Sequence, residues 1–299
     1  MRYQAGIVLP GYNPLKVPDA PTIGTATGGN TSASVTFTAP ADVGGGAITG
    51  YSVVSTPGGV IGTGASSPIT VSGLTNGTAY TFKVFATNAY GPSPLSAASN
   101  SVTPDIPIGS ALGGGFYAGQ ISTAGNSIAD YNLVVGPVAS AQNNSIQWKI
   151  VNTTTAGTTS VINGPANSAA MNDVTHPAAQ FCEGLTIGGF SDWYMPAKNE
   201  LEVCYFNLKP TTTTNNTISG INANAVPARA SNYTSGNPAQ TSSADFQSTG
   251  AEDFAAVYYW SSTEATATRG WVQYFLDGGQ YYSNKNTLYR VRAIRRVAV

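Results

Sequence analysis

Charge is what this sequence has least of. Only 9% of its 299 residues are Asp, Glu, Lys or Arg, against about 25% in an average soluble domain. Thirteen cations and 14 anions give a formal net charge of −1, which builds no field for a nucleic-acid duplex or an anionic membrane. One histidine, His176, and two cysteines, Cys182 and Cys204, are too few for a histidine-rich metal site, a CxxC zinc site or a disulfide scaffold. No apolar run reaches the 18 or so residues of a membrane helix. The opening MRYQAGIVLPGY carries one short apolar stretch cut by Pro10, shorter than the core of an export signal. The expectation is a chain with no metal, no cofactor, no nucleic-acid partner, no membrane insertion and no export signal.

Thr, Ser, Asn, Gly and Ala take the place of charge, with 34 Gly and 18 Pro. Many turns and short strands follow from that composition. Residues 1–16 are too short for a core and read as a lead segment. Residues 17–104 read as one β-domain. Pro18 and Pro21 suit an edge strand. Val35 and Phe37 alternate with Ser34, Thr36 and Thr38, the DVGGG turn follows, and ITGYSVVSTPGG reads as the next strand. Three further strands are expected in SSPITVSGLTNGTAYTFKVFATNAYGPSPLS. Residues 105–115 form a Pro/Gly linker.

Beyond it, in residues 116–299, FYAGQI, YNLVVGPV and IQWKIV read as strands. Ala170, Val174, Ala178, Phe181 and Leu185 recur at three- and four-residue spacing and predict a helix over about 170–184. Pro177 inside that stretch offers an alternative start, since proline suits a first turn. A second helix is expected from Ala197 to Asn207, burying Leu201, Cys204, Tyr205 and Leu208. Residues 209–250 show no periodicity, and a loop of about 40 residues is usually functional or disordered. YYWSSTE, GWVQYFLDGGQYYS and YRVRAIRRV close the domain as strands, with DGG as a hairpin turn.

Two resemblances follow from these residues. Pro21, the Val35–Phe37–Pro40 strand, Tyr51, and Leu74 with Tyr80 in GLTNGTAYTF resemble a fibronectin type III domain, with Phe37 where the family usually has Trp. That resemblance implies a tyrosine corner at Tyr80 and most often a spacer. The blocks GGFSDWYMPAKNELEVCY (188–205), YYWSST (258–263) and YRVRAIRRV (289–297) resemble the carboxy-terminal domain of Legionella collagen-like adhesins. That family is similar in fold to C-type lectins. The implied fold class is mostly β with a small α+β part: a fibronectin type III β-sandwich plus a C-type-lectin-like α+β domain. The pairing of the two domains and the lead segment look like virion surface proteins of marine tailed phages.

Read bottom-up, the three blocks are structural. Trp193 and Trp260 are anchors whose N–H groups need partners. Strand alternation places Arg290, Arg292 and Arg296 on one face, against Val291, Ala293 and Val297. In so uncharged a chain, Asp192 and Glu200 are natural partners for these arginines. Cys182 and Cys204 read as packed core thiols, and His176 as a capping or surface residue. For calcium, Asn232, Asp245, Glu252, Asp253 and Glu264 supply oxygens in loops, but no lectin triplet holds them together. The same acids are the only supply for a hydrolase, and no motif pairs them. The expected binding face lies late, where Tyr, Ser, Asn and Gly give adaptable contacts. In VQYFLDGGQYYS one face carries Val272, Tyr274 and Leu276, and only one face is expected to be core. Arg269, Trp271, Gln273, Asp277, Gln280 and Tyr282 are the candidate ligand-binding residues.

The reading is a non-enzymatic receptor-binding accessory protein on a phage virion surface. Residues 1–16 would dock to other virion structural proteins, and the lectin-like domain would meet a host cell-surface glycan or protein. A homo-oligomer is expected, a trimer by family analogy. The alternative is a capsid or tail decoration protein that reads no ligand.

Overall fold

The computed structural model describes residues 15–299. The expected lead at 1–16 therefore lies, but for its last two residues, outside the described residues. The described residues fall into two compact units that divide between Pro107 and Ile108.

The first unit is a sandwich of two antiparallel sheets. Its strands are β1 (Thr22–Gly29), β2 (Ser32–Thr38), β3 (Gly50–Thr56), β4 (Ile61–Gly64), β5 (Ile69–Ser72), β6 (Thr81–Asn88) and β7 (Gly91–Pro92). The sheet orders are β1-β2-β5 and β4-β3-β6-β7. Period-2 alternation sends Ala33, Val35 and Phe37 inward from β2 and Phe82, Val84 and Ala86 inward from β6. The Phe37 ring packs 4.8 Å from that of Tyr51. Leu74 is buried, and the Tyr80 hydroxyl accepts the Thr75 N–H at 3.1 Å, which is the tyrosine corner. β4 is a strand that sequence reading did not separate from its turn.

The second unit runs β8 (Ala111–Leu112), β9 (Gly115–Ile121), β10 (Tyr131–Val135), α1 (Val138–Ala141), β11 (Gln142–Gln147), α2 (Gly164–Ala169), α3 (Pro177–Glu183), α4 (Lys198–Leu208), β12 (Ala225–Val226), a 3₁₀ turn (Ala244–Phe246), β13 (Tyr258–Thr266), β14 (Arg269–Tyr274), β15 (Gln280–Asn284), β16 (Leu288–Arg292) and β17 (Ile294–Ala298). One sheet is ordered β12-β9-β10-β17 with β8 beside β9, the other β11-β16-β13-β14-β15. The fold is mostly β with a small α+β part.

Four expectations are corrected here. The stretch 170–176 is not helical, and the helix begins at Pro177, the start that the proline offered. Asp173 accepts the Thr175 N–H at 2.7 Å, a local turn that holds the chain out of the helix, and Val174 is 78% exposed. IQWKIV is strand only at its start, because Trp148 drops fully into the core. YRVRAIRRV is two strands in two sheets. The chain crosses at Ala293, whose N–H bonds Ala141 and whose carbonyl accepts the Gly136 N–H. Its arginines therefore face different neighbours. Arg295 pairs with Asp192 at 2.7 Å and Arg296 with Glu200 at 2.8 Å, as the scarcity of charge suggested. Arg292 instead takes Glu252 at 2.7 Å.

The fourth correction concerns β13 and the inner part of β14, which bury side chains on both faces, not one. Tyr259 and Phe275 join a core with α4, Leu133 and Leu201. Trp260 and Val272 join another with Trp148, Trp193 and Met195. A sheet sandwiched between two apolar layers loses the simple alternation that a one-sided strand shows. The three tryptophans Trp148, Trp193 and Trp260 satisfy their N–H groups on the carbonyls of Ser261, Phe190 and Ile146.

The stretch 209–250 is irregular apart from β12 and the 3₁₀ turn, yet it is built on buried polar hubs. The Lys209 ammonium, 2% exposed, donates to the Thr213 carbonyl at 2.5 Å and to Asn215 Oδ1 at 2.7 Å. Glu202 on α4 collects Asn222, Arg229 and Tyr233 from the same stretch. Buried polar atoms that find partners this way can order a loop without secondary structure.

Candidate functional site

The hairpin β14–β15 positions the candidate residues. Its register pairs Arg269 with Asn284, Trp271 with Tyr282 and Gln273 with Gln280, so these six side chains share one face. The turn is tight because Gly278 sits at φ +81, and a Cβ there would meet the Tyr205 ring at 2.2 Å.

That shared face has two ends with different jobs. At the turn end, Gln273 is 2% exposed and its Nε2 donates to the Gly278 carbonyl at 2.8 Å. Asp277 accepts the Gly279 N–H at 2.9 Å, and the Gln280 N–H donates to Ser219 Oγ at 3.0 Å. The Asn216 N–H also reaches the Asp277 carbonyl at 2.8 Å. These residues brace the turn on the long loop. Gln273, expected to be exposed, is buried because the turn supplies an acceptor for its amide.

At the other end the side chains face outward as a row. The Arg269 guanidinium lies 5.2 Å from the Tyr282 ring centre. Tyr282, 51% exposed, meets Trp271 edge-on at 5.6 Å and 88°. The Lys198 ammonium sits 4.4 Å over Trp271. Cation over aromatic face at both ends is a favourable electrostatic arrangement. Burial of the Lys198 side chain lowers its pKa. Lys198 is absent from the sequence-based candidates, since it opens α4, far along the chain from the hairpin.

A buried network frames this end. Lys285, directly after β15, donates its N–H to the Thr268 carbonyl. Its ammonium reaches Glu264 at 2.6 Å and the Thr153 carbonyl at 2.8 Å. Glu264 also accepts the Thr155 N–H at 2.7 Å. Thr155 Oγ1 lies 2.8 Å from His176 Nε2, and His176 Nδ1 lies 2.9 Å from Asp173. Hydroxyl, imidazole and carboxylate in a row resemble a nucleophile with its base. Here the hydroxyl is buried and also takes the Lys149 ammonium at 3.0 Å, so the row is framing. His176 is 4% exposed and makes no capping bond, which corrects its placement at the surface. Burial lowers its pKa against the opposing pull of Asp173, with Lys149 and Lys285 adding to the lowering.

The oxygen ligands weighed for calcium do not converge. Glu252 and Glu264 are taken by Arg292 and Lys285. Asp253 accepts the Thr249 N–H. Among the described residues no group of three or more His, Cys, Asp or Glu stands together as a metal site would need. Cys182 and Cys204 are buried free thiols in different core clusters, and burial raises the pKa of both.

Comparison with known proteins gives the same two parts. A sequence profile of the Lcl C-terminal domain matches residues 138–295, and one of the fibronectin type III domain matches residues 19–102. Both are non-catalytic, and the first is of adhesin type. No curated protein matches the chain. Among solved structures, titin kinase with its flanking domains is 31% identical, over 30% of this chain and 18% of that one, at a TM-score of 0.27. The chicken CNTN1 FN1–FN3 domains are 18% identical, over 40% of this chain and 42% of that one, at a TM-score of 0.27. The chain spans less than half the length of either.

Proposed function

This chain belongs to the Lcl C-terminal domain family, and on that premise we propose that it is a receptor-binding accessory protein displayed on a phage virion. The second unit meets a host cell-surface glycan or protein. The fibronectin type III unit acts as a spacer, and residues 1–16 dock on other virion structural proteins. Copies assembled as a homo-oligomer, a trimer by analogy, would turn weak single sites into firm attachment.

The observation that carries this reading is the outward row Arg269–Tyr282–Trp271–Lys198. Most of the second unit's other cations are spent on buried ion pairs or buried carbonyls. Among the described residues Arg269 and Lys198 make no ion pair; each lies over an aromatic ring, and the Tyr282 ring is half exposed. Aromatic and arginine side chains at a surface are the usual anchors of recognition. A decoration protein without a ligand is the second reading, favoured by Ile218 and Ile221, which stand 79% and 56% exposed on the long loop and would suit packing on neighbours.

The test is adsorption competition. Host cells preincubated with purified chain should adsorb fewer virions, and antibody to the chain should label intact particles. Labelled particles with undiminished adsorption would leave the decoration reading. Unlabelled particles would remove both.

A further inference from the structure

The opposite face of the same sheet carries a second aromatic surface. Tyr289 on β16, Tyr258 on β13, Tyr274 on β14 and Tyr281 on β15 give one tyrosine from each of four neighbouring strands. Tyr258 stacks on Tyr274 at 4.4 Å, meets Tyr281 edge-on at 6.1 Å and lies 5.1 Å from Tyr289. Tyr258 and Tyr289 line an open cleft of about 380 Å³ with Asn144, Val257, Leu288 and Arg290. That volume lies in the range of small-ligand sites.

The lining selects the ligand's chemistry. No carboxylate lines the cleft, and Arg290 lies close enough to the Tyr259 hydroxyl to pull its pKa down against burial. Leu288 and Val257 stand 58% and 39% exposed, so apolar area is presented to solvent there. The phenols lie close enough together that burial and its neighbours Tyr281, Tyr274 and Tyr289 raise the Tyr258 pKa. A wholly apolar occupant would strip water from these hydroxyls without replacing its hydrogen bonds. A sugar ring offers apolar C–H faces to stack on tyrosine and hydroxyls to bond phenols and the Asn144 amide.

We infer that the cleft beside Tyr258 and Tyr289 binds a neutral pyranose ring, as a site separate from the Arg269–Tyr282–Trp271–Lys198 row. The bulge of β11 between Asn143 and Ile146 supplies the polar wall at Asn144, and the tyrosines supply the floor. The site is open, so single-ring affinity is low and repetition along a polymer, or over many copies, gives the useful strength. The inference rests on the adhesin reading only for where such a glycan would be met.

The experiment is saturation-transfer NMR on the full chain with maltose, lactose and cellobiose as probes at millimolar concentration. Transfer to ring C–H protons is expected from at least one of them. Y258L and, at a mostly exposed position, L288K should each weaken it by about threefold to tenfold, the range that one aromatic or apolar contact carries. Should Y258L fail to fold, L288K and N144A carry the test. No transfer from any neutral sugar, transfer unchanged by the cleft variants, or transfer from a glucuronic-acid disaccharide alone would overturn the site. Sugar binding by a chain that does not block virion adsorption would sustain this site and refute the attachment reading.

Discussion

Replacing Glu202 by Gln should unfold the second unit early and leave the first untouched. Glu202 is fully buried. Its carboxylate accepts Arg229 through Nε at 3.1 Å and through Nη2, the Tyr233 hydroxyl at 2.5 Å and Asn222 Nδ2 at 2.5 Å. Those three donors come from the long loop, so this one group ties it to α4. E202Q keeps the shape but places an amide donor among donors and leaves Arg229 without its counter-charge. Removing one partner of a buried ion pair costs about 3–5 kcal/mol. For a unit of this size that is roughly 6–20 °C in Tm. Differential scanning calorimetry of the whole chain should show two transitions, one for each unit, with only one displaced. Adding R229M removes the stranded charge and should recover part of the loss. A shift of less than about 2 °C in that transition, or equal movement of both, would refute the hub.

Three further outcomes follow from buried groups. His176 is held neutral in the fold, with its pKa lowered by burial and by Lys149 and Lys285. The unfolded chain therefore binds the extra proton, and stability should fall as pH drops below about 6.5, by up to about 1.4 kcal/mol per pH unit. Urea titrations from pH 7 to about 5 should show that slope in the second unit, and H176Q should lose it. Chelation with EDTA should leave both transitions unmoved, because the ammonium groups of Lys209 and Lys149 reach the loop carbonyls; K209M should lower the second transition, and a chelator-sensitive Tm would contradict this. Cys182 and Cys204 are buried with raised pKa values, so a thiol reagent at pH 8 should label neither in the native chain and both in denaturant.

Much of the fold was legible where one face of a strand meets a core. The alternation of β2 and β6 and the Leu74–Tyr80 corner carried the sandwich. The same arithmetic of scarce charge found Asp192 and Glu200 for two arginines, but not Glu252 for Arg292, since Glu252 lies in a turn just past the irregular stretch 209–250. Legibility failed where burial is two-sided or polar. Gln273 reads as a surface residue until the turn places an acceptor beside it. Lys209 and Glu202 order their loop through hydrogen bonds that have no sequence period. Trp271 and Tyr282 pair in a register centred between Leu276 and Asp277 rather than on DGG, which counting outward from DGG misses, and Lys198 joins them only through tertiary packing. The row of tyrosines depends on the parallel neighbours β13 and β16, which are distant in sequence.

The most direct measurement is a binding isotherm of the full chain on intact, susceptible host cells, beside a W271A/Y282A variant matched for folding by calorimetry. The account predicts saturable binding by the native chain and its loss in the variant. Equal binding by the two, or none by a folded and multimerised native chain, would contradict it.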